Sequence, residues 1–323
     1  MQHSIGIITE YEGKENTECK QKFEPILNNI FTGFDNIPNL SYYFITESNK
    51  DEVIKRIKEK KLIYIIHMTE SGIHKLVTQI RKISKKYSNC VRIVVDSSFF
   101  GDKDYRTLGI NGIKNDAIYL QKNKDDKRLL KRNIQLKKWR KTGDSVLFLA
   151  QQPNGSGCKP IGVEEVKKLY LDSLNYIIKN TNYNIIWRTH PNCREIPNCI
   201  LKVIQNNKDR IKIIQGSKLR KLYHKQELYK SFDNVICSVA ISTNATVSSI
   251  INGIPVISLS DKCIVRPYSN HKIEDINNLT YFNQKKIYQW LCDLSYTEWT
   301  FDEISTGLPI SNIIKEYSNY NHI

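Results

Sequence analysis

Four short stretches in the second half of the chain collect side chains suited to holding an anion. Residues 151–157 carry Gln152, Gly155 and Ser156. The others are Arg188-Thr189-His190-Pro191, Ser242-Thr243-Asn244-Ala245-Thr246 and Ser260-Asp261. A glycine-containing loop lets its backbone approach a ligand, and its N–H groups can receive a phosphate oxygen. Hydroxyl and amide residues that open a helix present free N–H groups and the positive end of the helix dipole. Arg188 and His190 add charge-assisted hydrogen bonds to a phosphate or a developing leaving group. Taken singly, these are a surface turn, a loop histidine and a helix cap. Their order makes them a candidate site. Each directly follows an apolar run as long as a buried strand, and open parallel sheets bind ligands beyond the carboxyl ends of their strands.

The strands expected to position these stretches are 145–150, 184–188, 235–238 and 255–259, with a further strand at 211–214. Val166, Leu169, Tyr170, Leu174, Ile177 and Ile178 recur at helical spacing within 163–178. Helices are also expected at 196–205, 218–230 and 245–252, the last closed by Gly253. The first half alternates likewise, with strands at 5–9, 40–45, 62–66 and 91–95 and helices at 21–31, 50–60 and 71–87. Helices at 284–293, 301–305 and 310–317 end the chain. Strands separated by helices of this length predict βαβ units and a parallel sheet. The expected class is α/β, with two Rossmann-like parallel-sheet domains and a helical C-terminal tail. A turn at Thr142-Gly143-Asp144 sets the expected domains at 1–142 and 143–323.

The segment Trp187-Arg188-Thr189-His190-Pro191 resembles the Arg-Pro-His-Pro signature of capsule-polysaccharide and bacteriophage glycosyltransferases. Ser242-Thr243-Asn244-Ala245-Thr246, followed by Gly253-Ile254-Pro255-Val256, is similar to that family's Asn-Ser-Ser and Gly-x-Pro-Val segments. Gln289-Trp290-Leu291, Thr297-Glu298-Trp299-Thr300, Glu303-Ile304 and Gly307 resemble its closing pattern, as do Phe99-Phe100-Gly101 and Leu108-Gly109-Ile110-Asn111-Gly112 upstream. Thr189 stands where the family has proline, Ala245 where it has serine, and Glu298 where it has glutamine. The resemblance implies the GT-B architecture, two Rossmann-like domains facing across a cleft. It implies sugar transfer from a nucleotide-activated donor to a glycan or glycolipid, without a metal or other cofactor. The donor phosphate would meet Gln152, Gly155, Ser156, Arg188, His190, Pro191, Ser242, Thr243, Asn244, Thr246 and Asp261. The 1–142 domain would receive the acceptor. An inverting transferase of this kind needs an acceptor base there, and Asp96, closing the 91–95 strand, is the candidate.

At 323 residues the chain has room for about two domains. With 40% hydrophobic and 25% charged residues it reads as globular. Its apolar runs are too short for a transmembrane segment and no secretory leader is visible, so a cytoplasmic or peripheral membrane location is expected. The eight cysteines include no CxxC pair and read as reduced, mostly buried thiols. Asp102-Lys103-Asp104 offers the metal-holding pattern of a different transferase architecture, which the second strand–helix series does not suit. The formal charge is +16, and residues 121–142 contribute ten basic residues against Asp125 and Asp126. That stripe is either a solvated interdomain segment or a grip on nucleic acid or anionic lipid. It opens two alternative functions, glycosylation of a hydroxylated DNA base and nucleic-acid binding without catalysis. No RNA- or DNA-reading motif accompanies it.

Overall fold

The computed structural model describes residues 3–8, 17–38, 40–46, 48–59, 64–68, 75–87, 90–155, 157–191, 195–215 and 224–320. The chain divides into two compact units. The first comprises Met1–Ser98, Asp102–Lys124 and Asp293–Ile323, and the second Phe99–Gly101 and Asp125–Cys292.

In the first unit the chain builds β1 (His3–Ile8), α1 (Thr17–Asp35), β2 (Leu40–Ile45), α2 (Lys50–Lys58), β3 (Tyr64–Met68), α3 (Lys75–Ser84), β4 (Val91–Ser97) and β5 (Tyr105–Ile110). The second unit follows with α4 (Lys127–Lys131), β6 (Ser145–Leu149), α5 (Val163–Asn180), β7 (Asn184–Arg188), α6 (Asn198–Asn206), β8 (Ile211–Ile214), α7 (His224–Lys230), β9 (Val235–Ala240), α8 (Ala245–Ile251) and β10 (Val256–Ser258). After α9 (Gln284–Ser295), the chain returns to the first unit as β11 (Glu298–Thr300), α10 (Phe301–Ser305) and α11 (Leu308–Tyr320).

The first sheet has the order β11-β5-β4-β3-β1-β2. β1 to β4 are parallel, whereas β5 runs antiparallel to β4 and β11 antiparallel to β5. One face buries Ile26, Ile30 and Phe34 of α1 with Ile310, Ile313 and Tyr317 of α11. The other buries Val53 and Ile57 of α2 with Leu76 and Ile80 of α3. Each such side chain removed from water contributes about 1.5–3 kcal/mol. The C-terminal helices therefore complete the first core rather than extending the second domain. Gly307 marks a close approach: its φ is +76°, and a Cβ there would run into the Gly33 carbonyl oxygen.

The second sheet, β10-β9-β6-β7-β8, is wholly parallel. β6 and β9 are buried along their full length, as a sheet covered on both faces requires. On one face Val166, Tyr170, Leu174 and Ile177 of α5 and Ile200 and Ile204 of α6 cover Phe148 and Trp187. The Trp187 ring lies 5.4 Å from Phe148 and 5.2 Å from Tyr170. On the other face Leu147, Leu149 and Ala240 meet Phe232, Ile254, Leu228 and Ala245.

The boundary thus falls at 124/125, and residues 293–323 belong to the first unit, not at the expected 142/143 with the tail in the second. The physical reason is where the backbone finds partners. Beyond the five residues of α4 the basic segment does not continue as a helix. Lys137 donates its N–H to Ile251 O (2.9 Å) and Arg140 to Gly253 O (2.7 Å), while Trp139 Nε1 donates to Phe282 O (2.7 Å). Gly253 sits at φ +72° with Lys138 O directly where a Cβ would be. Among the described residues no helix is long and apolar enough to cross a membrane.

Candidate functional site

The strand order places a topological switch point in the second sheet. Numbered within the unit, the strands run 5-4-1-2-3, so the chain leaves β6 toward one side and reaches β9 on the other. Ligands of doubly wound sheets lie beyond the carboxyl ends at this point.

Gln151 follows β6 and Ser242 lies just beyond β9, and the two are locked together. Gln151 Nε2 donates to Ser242 O (3.0 Å), and Ser242 N donates to Gln151 Oε1 (2.6 Å). The carboxamide imitates a strand residue and ties the tips of β6 and β9. Gln151 N in turn donates to the Tyr170 hydroxyl (2.8 Å). The sequence pointed to Gln152, which is exposed; Gln151 and Tyr170 were missed. Only the strand register distinguishes the two glutamines.

The expected donor residues separate into two groups. Ser242 and Thr246 are buried, with hydroxyls directed to Lys262 O (3.2 Å) and Thr243 O (2.6 Å). Thr243 and Asn244 remain half-buried, and Thr243 Oγ1 accepts from Ala245 N (3.3 Å). Gly155 donates its N–H to Gln152 O (2.9 Å), closing a turn after β6, and Ser156 lies outside the described residues. Asp261 is exposed and pairs with Arg266 Nη2 at 3.0 Å.

Arg188 and His190 are not side by side. Trp187 and Thr189 face the α5–α6 side, and His190 joins them, with Tyr170, Ile196 and Ile200, around a small hollow beyond β6 and β7. Arg188, between Trp187 and Thr189, points to the opposite face by the two-residue alternation of a strand. There Glu227 of α7 acts on it. Arg188 as a whole is 6% exposed, and its Nη1 is buried with no hydrogen-bond partner among the described residues. Burial lowers its pKa from the usual arginine value, with Glu227 partly opposing. A buried, incompletely paired guanidinium is costly unless something supplies the missing acceptor. An anion at the end of β7 would do so.

In the first unit, Asp96 is half-buried near the end of β4, its Oδ1 accepting from Ser97 N (2.8 Å). It is paired across the sheet with Thr107 of β5, which is paired in turn with Glu298 of β11. Glu298 is fully buried; Ser98 Oγ donates to it at 2.6 Å and Thr107 Oγ1 lies 3.4 Å from it. The Tyr119 phenol is held well above the usual tyrosine value by burial first, then by Asp96 and Glu298. Burial lowers the Arg106 guanidinium, opposed by Asp104, Asp96 and Glu298. The sequence offers Asp96 as a candidate but not this row, because Glu298 lies some two hundred residues away. Asp102 is half-buried and Asp104 exposed, and among the described residues no three His, Cys, Asp or Glu gather as a metal shell.

Comparison with known proteins leaves the family open. No family model matches the chain, and no curated protein matches it. Among solved structures, a UDP co-structure of S. aureus MnaA is 11% identical, covering 99% of this chain and 97% of that one at a TM-score of 0.34. The closed conformation of a leucine-, isoleucine-, valine-, threonine- and alanine-binding protein from Brucella ovis is 10% identical, covering 78% and 64% at 0.31. CobK precorrin-6A reductase is 9% identical, covering 91% and 97% at 0.30. These likenesses are too distant to place the chain in a family.

Proposed function

We propose that the protein is a glycosyltransferase that binds the nucleotide end of an activated sugar donor at the carboxyl edge of its second sheet. The observation that carries this reading is Arg188: a buried side chain whose Nη1 has no acceptor among the described residues, at the end of a parallel strand flanking the switch point. Phosphate oxygens are its natural complement, since a planar fork matches them bidentately. The Gly155 turn and the half-buried Thr243 and Asn244 supply further polar groups at the same edge. His190, Pro191 and Gln152 belong to the α5–α6 side of that edge in this proposal, and a sugar or leaving-group contact suits His190 better than the phosphate Arg188 holds. The acceptor would be a glycan or glycolipid, with Asp96 as its base and no metal requirement.

The test is a thermal-shift panel of UDP, GDP, CMP, dTDP and ADP and their sugars, with and without Mg²⁺, on the wild type and Arg188→Met. A ligand that binds only the folded state raises Tm by mass action. A shift with one nucleotide, lost in Arg188→Met while the unliganded variant melts at or above the wild-type temperature, is the expected outcome. That combination marks a group kept for a ligand at a cost to stability. Absence of any shift with a cooperatively folded wild type, or a shift unchanged by Arg188→Met, would overturn the reading.

A further inference from the structure

The cations of residues 125–142 have two different destinations. Arg132 and Arg140 turn inward: the Arg132 guanidinium lies 4.4 Å from the Phe100 ring centroid, and Arg140 donates to the carbonyls of Phe232 and Val235. Lys127, Lys131, Lys137, Lys138 and Lys141 stay exposed. The segment runs antiparallel to the start of α9. Near its beginning Asp126 accepts from the Tyr288 hydroxyl (2.9 Å), and farther along Gln284 donates to Lys137 O (2.7 Å). Lys285 and Lys286, exposed on the first turn of α9, therefore adjoin the Lys137 end. The acids of the segment sit at the far end, where Asp125 pairs with Lys127 at 3.3 Å. Two large apolar side chains stand out among these lysines: Leu130 is 52% exposed, and Tyr281, beneath Lys141, is 37% exposed.

We propose that this face docks the protein on an anionic lipid surface. The proposal goes beyond the donor site and stands independently of it. Charge complementarity admits either lipid headgroups or nucleic acid, and two features favour lipid. The exposed cations of the segment are all lysines, point charges suited to the diffuse field of a headgroup layer, while its three arginines, Arg128 included, are half-buried. Arg132 and Arg140, whose planar forks would read phosphates and base edges, are engaged internally. Leu130 and Tyr281 also match shallow insertion, an aliphatic side chain below the headgroups and a tyrosine at their level. A single-strand binder would instead present a row of stacking rings along a groove.

The experiment is co-sedimentation with vesicles of phosphatidylcholine alone or mixed with phosphatidylglycerol, at low and high salt, beside a gel-shift titration with duplex DNA. Binding is expected to the anionic vesicles only, and to be released by salt as the Debye length falls from about 10 Å at 0.1 M to about 3 Å at 1 M. The triple variant Lys137→Gln, Lys138→Gln, Lys141→Gln should weaken partitioning about a hundredfold, at roughly fivefold per lysine. Leu130→Ser should weaken it about tenfold. Both variants should melt as the wild type does, since these side chains are exposed. Equal binding to neutral vesicles, no vesicle binding, an unaffected triple variant, or tighter binding to DNA than to the vesicles would each overturn the proposal.

Discussion

The two units place their buried polar groups differently. In the first, a row of side chains crosses three strands on one face of the sheet, and Glu298 at its end is enclosed with hydroxyl donors already in place. In the second, polar groups gather at the sheet's edge. There Gln151 and Ser242 satisfy each other, while Arg188 keeps a donor with no acceptor among the described residues. A fully satisfied network specifies structure, whereas one missing a partner points outward to a ligand. By that criterion the first unit's row is mainly architectural, with Asp96 at its accessible end, and the second unit's edge is where we propose that the ligand binds.

The comparison is tested first at Glu298. Glu298→Ala would remove the acceptor of the Ser98 hydroxyl, leave Thr107 only the Ser97 carbonyl, and open a void in a closed core, costing about 2–5 kcal/mol. Chemical denaturation reads this directly, with Glu298→Gln retaining most of the stability. A loss below about 1 kcal/mol would mean that the row is not architectural and that Glu298 belongs with the site. At the edge, His190→Ala should lower turnover about ten- to a thousandfold, the range for losing one transition-state donor. Its half-exposed position predicts little change in Tm. Near-normal turnover would remove His190 from the chemistry and leave Arg188 to define the site alone.

Gln151→Ala tests the tie between β6 and β9. Two hydrogen bonds disappear and the Ser242 backbone loses both partners, so a cost of about 1–3 kcal/mol is expected. Because Ser242 leads into Thr243 and Asn244, donor affinity should fall as well. A stability loss without any change in nucleotide binding would separate the switch point from the ligand.

The sequence carried more of the second unit than of the first. Runs such as 145–149 and 235–240 are apolar on both faces because a central parallel strand is covered on both sides, so their positions could be read without knowing their partners. β5 was missed because Tyr-Arg-Thr-Leu-Gly-Ile interrupts its apolar residues with Arg106, Thr107 and Gly109. It is a strand because β4 and β11 supply hydrogen-bonding partners on either side. β11, three residues long, and the return of the tail to Gly33 depend on contacts between distant parts of the chain, which no local period encodes. The candidate site was legible only as residue types at strand ends. Which face each residue takes, and hence the separation of Arg188 from His190, depended on register.

Buried thiols give the finest comparison: Cys90 lies in the first core and Cys237, one of several buried thiols of its unit, in the second. Burial pushes Cys90 up to about 12 against the opposing pull of Arg92, and burial alone pushes Cys237 to about 12, both from 9.0. A raised folded-state value means that the folded protein keeps a proton the unfolded chain releases. The resulting stability is complete below about pH 9 and is lost as pH rises toward about 12. Tyrosines with raised values, such as Tyr288, titrate over the same range, so the wild-type slope alone cannot isolate the thiols. Comparison with Cys90→Ala and Cys237→Ala can: each should lower stability modestly at neutral pH yet flatten its alkaline decline. The exposed Cys199 should react with a thiol reagent in the folded protein, while Cys90 and Cys237 wait for unfolding. If Cys237→Ala declined as steeply as the wild type, its thiol would be ionising inside the fold, and the second core would be more open to solvent than the first.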